Sequence, residues 1–284
     1  MEGDSQMSVA LGIVATAVAA VFALSMFRRY RIRGGKHHAA WGISMIMFAV
    51  ASAALTAGLA FGWNSEIFKV YYLFGAILNV PYLGLGNVYL LWGDRAGYVG
   101  QLILGAFLVA SVVTILTAPV TNPPSGSEIP SGKEVYASES HPALPAGCEE
   151  VRPPDCLPFV KRDPVAVLPR VFAVFGNIFG TLMVVGSTVT SAIRFLRRRK
   201  TDPFAGRLAL GNILIAAGVM IVASGGTSAR LGTTSVLPMT LAAGVSVIYS
   251  GFRVASRKLA DDAESGDGES IEPQGESEAP GDPQ

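Results

Sequence analysis

The chain has 284 residues, 50% of them hydrophobic and only 15% charged, with a mean hydropathy of +0.44. Soluble domains carry about 25% charged residues, so this composition excludes an ordinary soluble globule and points to burial in lipid. The formal net charge of +1 conceals a segregation: Glu2 and Asp4 at the start, a basic stretch from Arg28 to Lys36, and only acidic charges after Lys258. Such asymmetry reports topology and argues against nucleic acid as a partner.

In chain order, the first apolar run is Val9 to Phe27, followed by Arg28-Arg29-Tyr30-Arg31. A signal peptide carries its bases before the apolar stretch. The order here is reversed, so we expect an uncleaved first helix that starts outside. A span needs roughly 20 mostly apolar residues to cross a hydrocarbon core of about 30 Å. Seven runs meet this, at roughly 8–27, 40–62, 68–92, 98–118, 168–193, 207–224 and 232–252. The sixth is the shortest.

The connections alternate in charge. Arg28 to His38, Asp94 with Arg95, Arg194 to Lys200 with Arg207, and Arg253, Arg257 and Lys258 fall on one side, with 15 of the 22 Lys and Arg residues. The basic side is expected to be cytoplasmic. The fold expected is therefore an all-α, polytopic transmembrane bundle of about seven helices in the cell (plasma or inner) membrane. Its N-terminus lies outside and its C-terminus in the cytoplasm.

Four regions follow. Residues 1–118 carry helices one to four. Residues 119–167 form an extracytoplasmic loop rich in Pro, Ser and Glu, expected to be mostly irregular. Residues 168–258 carry helices five to seven, and 259–284 form an acidic tail expected to be disordered. The loop holds both cysteines, Cys148 and Cys156, and the outer compartment favours their pairing as a local disulfide.

Chemistry-bearing motifs are sparse. No Asp or Glu lies within a predicted span, which disfavours proton-driven and sodium-coupled transport. The seventh span has no Lys for a retinal Schiff base. Phosphate-loop, zinc-protease and nucleophile-elbow motifs are missing. His37 and His38 read as interfacial residues and His141 stands alone, so no metal and no cofactor are expected.

The third span is the unusual one. Tyr72, Gly75, Asn79, Tyr82, Gly86 and Tyr89 recur at helical spacing along one face. Asn79 and Asn87 are amides at membrane depth that need partners. Pro81 cannot donate to the carbonyl of Ile77 and should kink the helix, and Pro238 should likewise free the carbonyl of Thr234 in span seven. In the fifth span Asn177 and Thr181 lie beside a small-residue face. Gly176-x-x-x-Gly180 and Gly58-x-x-x-Gly62 have the spacing of close helix packing. Spans three to four and five to six also share short stretches that suggest a parallel internal repeat.

Phe74-Gly75 with Pro81-Tyr-Leu-Gly-Leu-Gly86, Leu168-Pro-Arg170, and Gly211-Asn-Ile-Leu-Ile-Ala216 together resemble a family of bacterial seven-span integral membrane proteins of uncharacterised function. The resemblance implies the seven-span fold. It brings no activity, cofactor or site residue with it.

Three functions stand from sequence. The first is a structural or accessory protein acting on a membrane-protein partner or on a second copy of itself. The second is a binder or carrier of a small apolar molecule or lipid, using the polar face of helix three. The weakest is a membrane-embedded enzyme, because the spans offer only Tyr and amides as reacting groups.

Overall fold

A computed structural model describes residues 2–140, 161–162, 164–198, 205–230 and 236–256. The expected disulfide of Cys148 and Cys156, His141 and the acidic tail lie outside the described residues.

The chain is a bundle of long helices: α1 (Glu2–Arg33), α2 (Lys36–Phe61), α3 (Ser65–Tyr71), a π-helical segment (Tyr72–Leu78), α4 (Asn79–Thr117), a short α5 (Gly132–Val135), α6 (Leu168–Arg198), α7 (Ala205–Arg230) and α8 (Leu237–Ser256). Two-residue strands β1 (Glu139–Ser140) and β2 (Lys161–Arg162) pair antiparallel. A single 3₁₀ turn, Pro164–Val167, leads into α6. Six stretches of the described residues are long and apolar enough to cross a membrane. Large side chains on their outer faces are exposed, among them Leu24, Leu102, Val109, Leu116, Phe175 and Phe179. Lipid accounts for that exposure, since water would not tolerate so much contiguous apolar surface.

One stretch, Ser65–Thr117, has 53 residues. Straight, it would be about 80 Å long, far beyond a hydrocarbon core of about 30 Å. It is not straight. Gly93 (φ 76°, ψ −174°) breaks the helix in a conformation that only glycine adopts without strain. The chain then folds back on itself. Leu85 and Leu104 share a core cluster, and the Tyr89 hydroxyl donates to Gln101 Oε1 at 2.6 Å. Residues 79–92 and 94–117 are thus two antiparallel limbs of α4, matching the separate third and fourth runs read from sequence.

The basic connections gather at one end of the bundle. Lys36 Nζ lies 2.7 Å from Asp94 Oδ2, and the Arg29 guanidinium sits 4.7 Å over the Phe252 ring. At the opposite end, residues 118–140 descend onto the helices instead of floating above them. Ile129, Val135 and Tyr136 are buried in the same core as Phe68, Tyr72 and Leu59. The first half of the loop is mostly irregular, as expected, yet it is anchored. Its apolar residues are few but consecutive in space, and α5 is capped by Ser131, whose Oγ accepts from the Glu134 N–H.

Two expectations need correction, and the sixth run holds. Pro238 does not kink a helix: α8 begins at Leu237, so the proline falls in the first turn, where its missing N–H has no intrahelical role. Gly58-x-x-x-Gly62 does not join two helices. Any Cβ at Gly58 would overlap the Trp63 indole, which folds back over it, and Gly62 (φ 89°) ends α2. The sixth run, the shortest in sequence, is a full helix of 26 residues.

A close helix pair went unnoticed in the sequence. Gly211, Gly218 and Gly225 on α7 recur every seven residues and face Gly251, Gly244 and Thr240 on α8. A Cβ at Gly218 would lie 2.7 Å from the Gly244 carbonyl oxygen, and one at Gly251 would lie 2.7 Å from that of Gly211. Small residues at this spacing let backbones approach.

Candidate functional site: a cavity beside the π-helical segment

The π-helical segment organises the site, and its cause is local. In i→i+5 pairing the carbonyl of Ala76 would take the N–H of residue 81, and Pro81 has none. A side chain supplies the donor instead. Asn177 Nδ2 on α6 donates to Ala76 O, and also to Ala173 O one turn back on its own helix. The Ile77 carbonyl, whose loss of a partner was expected, lies against Gly176, where a Cβ would come within 2.6 Å. Gly180 meets the backbone of Val80 and Pro81 in the same way, at 2.6 and 2.7 Å. Glycine at both positions lets α6 cross directly over the proline.

On the opposite flank, Ser44 of α2 lies 2.9 Å from Asn79 O and 2.8 Å from the Asn79 side-chain amide. A hydroxyl has one proton. With Ser44 donating to the carbonyl, an Asn79 amide turned to place Nδ2 against Oγ satisfies both contacts. Asn79 is 6% exposed and Ser44 fully buried, so this pair bridges two helices inside the bundle.

Beside these bridges lies a cavity of about 560 Å³, within the roughly 300–1,000 Å³ typical of small-molecule sites. Its wall is built from α2, the π-helical segment, the start of α4, α6, α7 and α8, with α5 at one end. Met45, Phe48, Leu83, Val219, Val245 and Ile248 form the apolar part. Ser52, Asn79, Asn177 and Thr181 form a polar belt beside it. The end near α5 carries Tyr71, Tyr72, Ser131, Lys133 and Arg170. Arg170 Nη1 donates to the Tyr136 carbonyl at 3.4 Å. No carboxylate, imidazole or thiol is among the described lining residues. Below this end, burial against Phe68 and Tyr72 pushes the Tyr136 phenol pKa up, with Tyr72 and Glu66 adding to it. Tyr136 is therefore an uncharged wedge.

The polar face predicted for helix three divides in two. Tyr72, Gly75 and Asn79 line the cavity, as do Asn177 and Thr181 from α6. Pro81, Tyr82, Gly86, Asn87 and Tyr89 do not. Asn87 instead accepts from Trp41 Nε1 at 3.1 Å and donates to Ser187 Oγ at 2.6 Å, tying α2, α4 and α6 together. A Cβ at Gly86 would overlap the Trp41 indole. Tyr89 turns to Gln101, and Tyr82 packs into the core against Phe107 and Leu85. His37 and His38 lie with ring centroids 4.1 Å apart, tilted by 38°, and both edge against Trp41. No group of three or more potential metal ligands occurs among the described residues.

Several lining residues escaped the sequence reading. Lys133 and Ser131 come from a loop whose fold was not legible. Gly226 and Thr227 on α7 belong to a helix with no polar periodicity to flag them. Arg170 was visible as a cation opening an apolar helix, and the lack of a carboxylate nearby was its only functional signal. No family model, curated protein or solved structure matches the chain, so the site stands on its own geometry.

Proposed function

We propose that this chain is a seven-span protein of the cell membrane that holds a small amphipathic molecule in its central cavity. One observation carries the reading: a cavity of about 560 Å³ enclosed by α2, the π-helical segment, α4, α6, α7 and α8. A helix bundle that only scaffolds a partner has no use for such a void, because empty volume costs packing contacts. The chamber is apolar with a polar belt, and its described lining offers two cations but no carboxylate, imidazole or thiol, which suits binding or carriage rather than reaction. That moves the balance from the accessory reading towards the binder.

The break at Gly93 supports seven spans, and the basic end supports the orientation. Arg28 to Lys36, Arg95 and Arg253 belong to connections that meet there, and cytoplasmic loops carry such an excess. The cavity end with Lys133 and Arg170 then faces outward. Cysteine labelling of intact cells should reach a probe at Ser138 and miss one at Ser270. Labelling only of Ser270 would invert the orientation.

The binding reading is tested by native mass spectrometry of the full chain purified in mild detergent. A retained mass is expected, and Ala173→Phe, which fills the chamber from α6, should remove it. A protein that carries no adduct, and whose thermal stability rises when the chamber is filled, would be a scaffold with a packing defect.

A further inference from the structure

The cavity has a definite polarity and an incomplete wall. Among the described residues, the charged ones that line it are Lys133 and Arg170, both cations at the end near α5. Neither forms an ion pair with a carboxylate among the described residues, where the only pairs are Lys36 with Asp94 and Lys69 with Glu66. The far part of the chamber is lined by apolar side chains.

On α6, Ala173, Asn177 and Thr181 face inward. Val174, Ile178 and Leu182, one residue further round, also line the cavity yet are 42%, 56% and 68% exposed. The inner wall there is therefore also the outer surface. Across from them on α7, Gly226 and Thr227 line the cavity, and a Cβ at Gly226 would meet nothing within 4 Å. Nearer the basic end the two helices close, with Val184 and Val219 in one core cluster.

We propose that this gap between α6 and α7 is a lateral portal to the bilayer, and that the occupant is an anionic membrane lipid. Its headgroup oxygens sit at Arg170 and Lys133, and an acyl chain passes between Ile178 and Gly226 into the chamber. The proposal rests on the cavity reading and on the orientation given above, which together place the portal in the outer leaflet. Charge complementarity selects the headgroup: two cations with no carboxylate among the described lining residues favour a phosphate or carboxylate, and Arg presents paired donors to either. The exposed apolar stripe selects the source. A water-soluble anion would need no opening at Ile178, whereas a lipid chain cannot reach the chamber without one.

The test uses the full chain in nanodiscs containing equal amounts of phosphatidylglycerol and phosphatidylcholine, released into mild detergent for native mass spectrometry. One phosphatidylglycerol per chain should be retained, with a preference of about tenfold over phosphatidylcholine, the factor that roughly 1.4 kcal/mol provides. Lys133→Gln with Arg170→Gln should bring the ratio close to one. Lys133→Glu alone, at an exposed position outside the bundle core, should lower it without disturbing the fold. Gly226→Trp places an indole at the gap from a position where a Cβ meets nothing within 4 Å, and should remove both adducts while leaving the thermal midpoint near that of the wild type. Equal retention of the two lipids, unchanged by the charge substitutions but lost in Gly226→Trp, would overturn the anionic headgroup and leave the cavity reading intact. Phosphatidylglycerol retained undiminished in Gly226→Trp would mark an annular lipid and overturn the portal. No adduct from either lipid, in wild type as in Ala173→Phe, would remove the cavity reading and this proposal with it.

Discussion

The two halves of helix three contrast sharply although one sequence pattern runs through both. Towards the α5 end, Tyr72, Gly75 and Asn79 border an open chamber. Towards the basic end, Gly86, Asn87 and Tyr89 are packed against Trp41, Ser187 and Gln101. A repeat of aromatic, glycine and amide at helical spacing therefore specifies an inward face and nothing more. What stands opposite decides the rest. Beside Gly86, α2 presents a tryptophan that fills the notch. Beside Gly75 it presents Ala51, at 3.1 Å from where a Cβ would lie, and a methyl group cannot fill the space beyond.

The strongest way to break this contrast is at the hinge between the halves. Gly180→Leu would force a side chain into the backbone of Val80 and Pro81, which has no freedom to withdraw. We expect a loss at the top of the roughly 1–3 kcal/mol range for overpacking, read as a large fall in thermal midpoint in detergent. Wild-type stability would mean that α6 does not cross α4 at the proline.

A matched pair of substitutions compares the halves directly. Gly86→Ala should cost about 1–2 kcal/mol because the methyl overlaps the Trp41 ring, which is held by its bond to Asn87. Gly75→Ala should be close to neutral, since a gain of up to about 1 kcal/mol in helix propensity offsets one tight contact with a methyl group. Equal effects at both sites would erase the difference between a filled and an open half.

The two amides sharpen the same comparison. Asn87→Leu removes two interhelical bonds and strands the Trp41 N–H, for an expected loss of about 1 kcal/mol, with any retained adduct untouched. Asn79→Leu breaks one bridge to Ser44 and should cost only about 0.6 kcal/mol. Its larger effect should be on retention, because Asn79 also lines the chamber. If Asn79→Leu destabilised more than Asn87→Leu and left retention unchanged, the assignment of roles would be reversed.

Several features were legible before any coordinates. Apolar run length sets helix length, because a hydrocarbon core imposes a minimum that no neighbour can alter. That constraint placed all the long helices, including the turn at Gly93 between the third and fourth runs. Pro81 announced a carbonyl without its helical donor, since a missing N–H is a covalent fact. Asn79 and Asn87 announced buried partners, because an unpaired amide in hydrocarbon is costly.

Other features depended on residues far apart in the chain. Ala76 receives its replacement donor from Asn177, 101 positions later. The first half of the outer loop packs against Tyr72 and Phe68, although its own composition reads as irregular. The glycines of α7 mean little until α8 lies against them. Run length, a proline's missing donor and an amide's need for partners are properties of the chain itself and can be read in one dimension. A cavity is the volume left when side chains from α2, α4, α6, α7 and α8 fail to meet, and only the folded bundle determines where that happens.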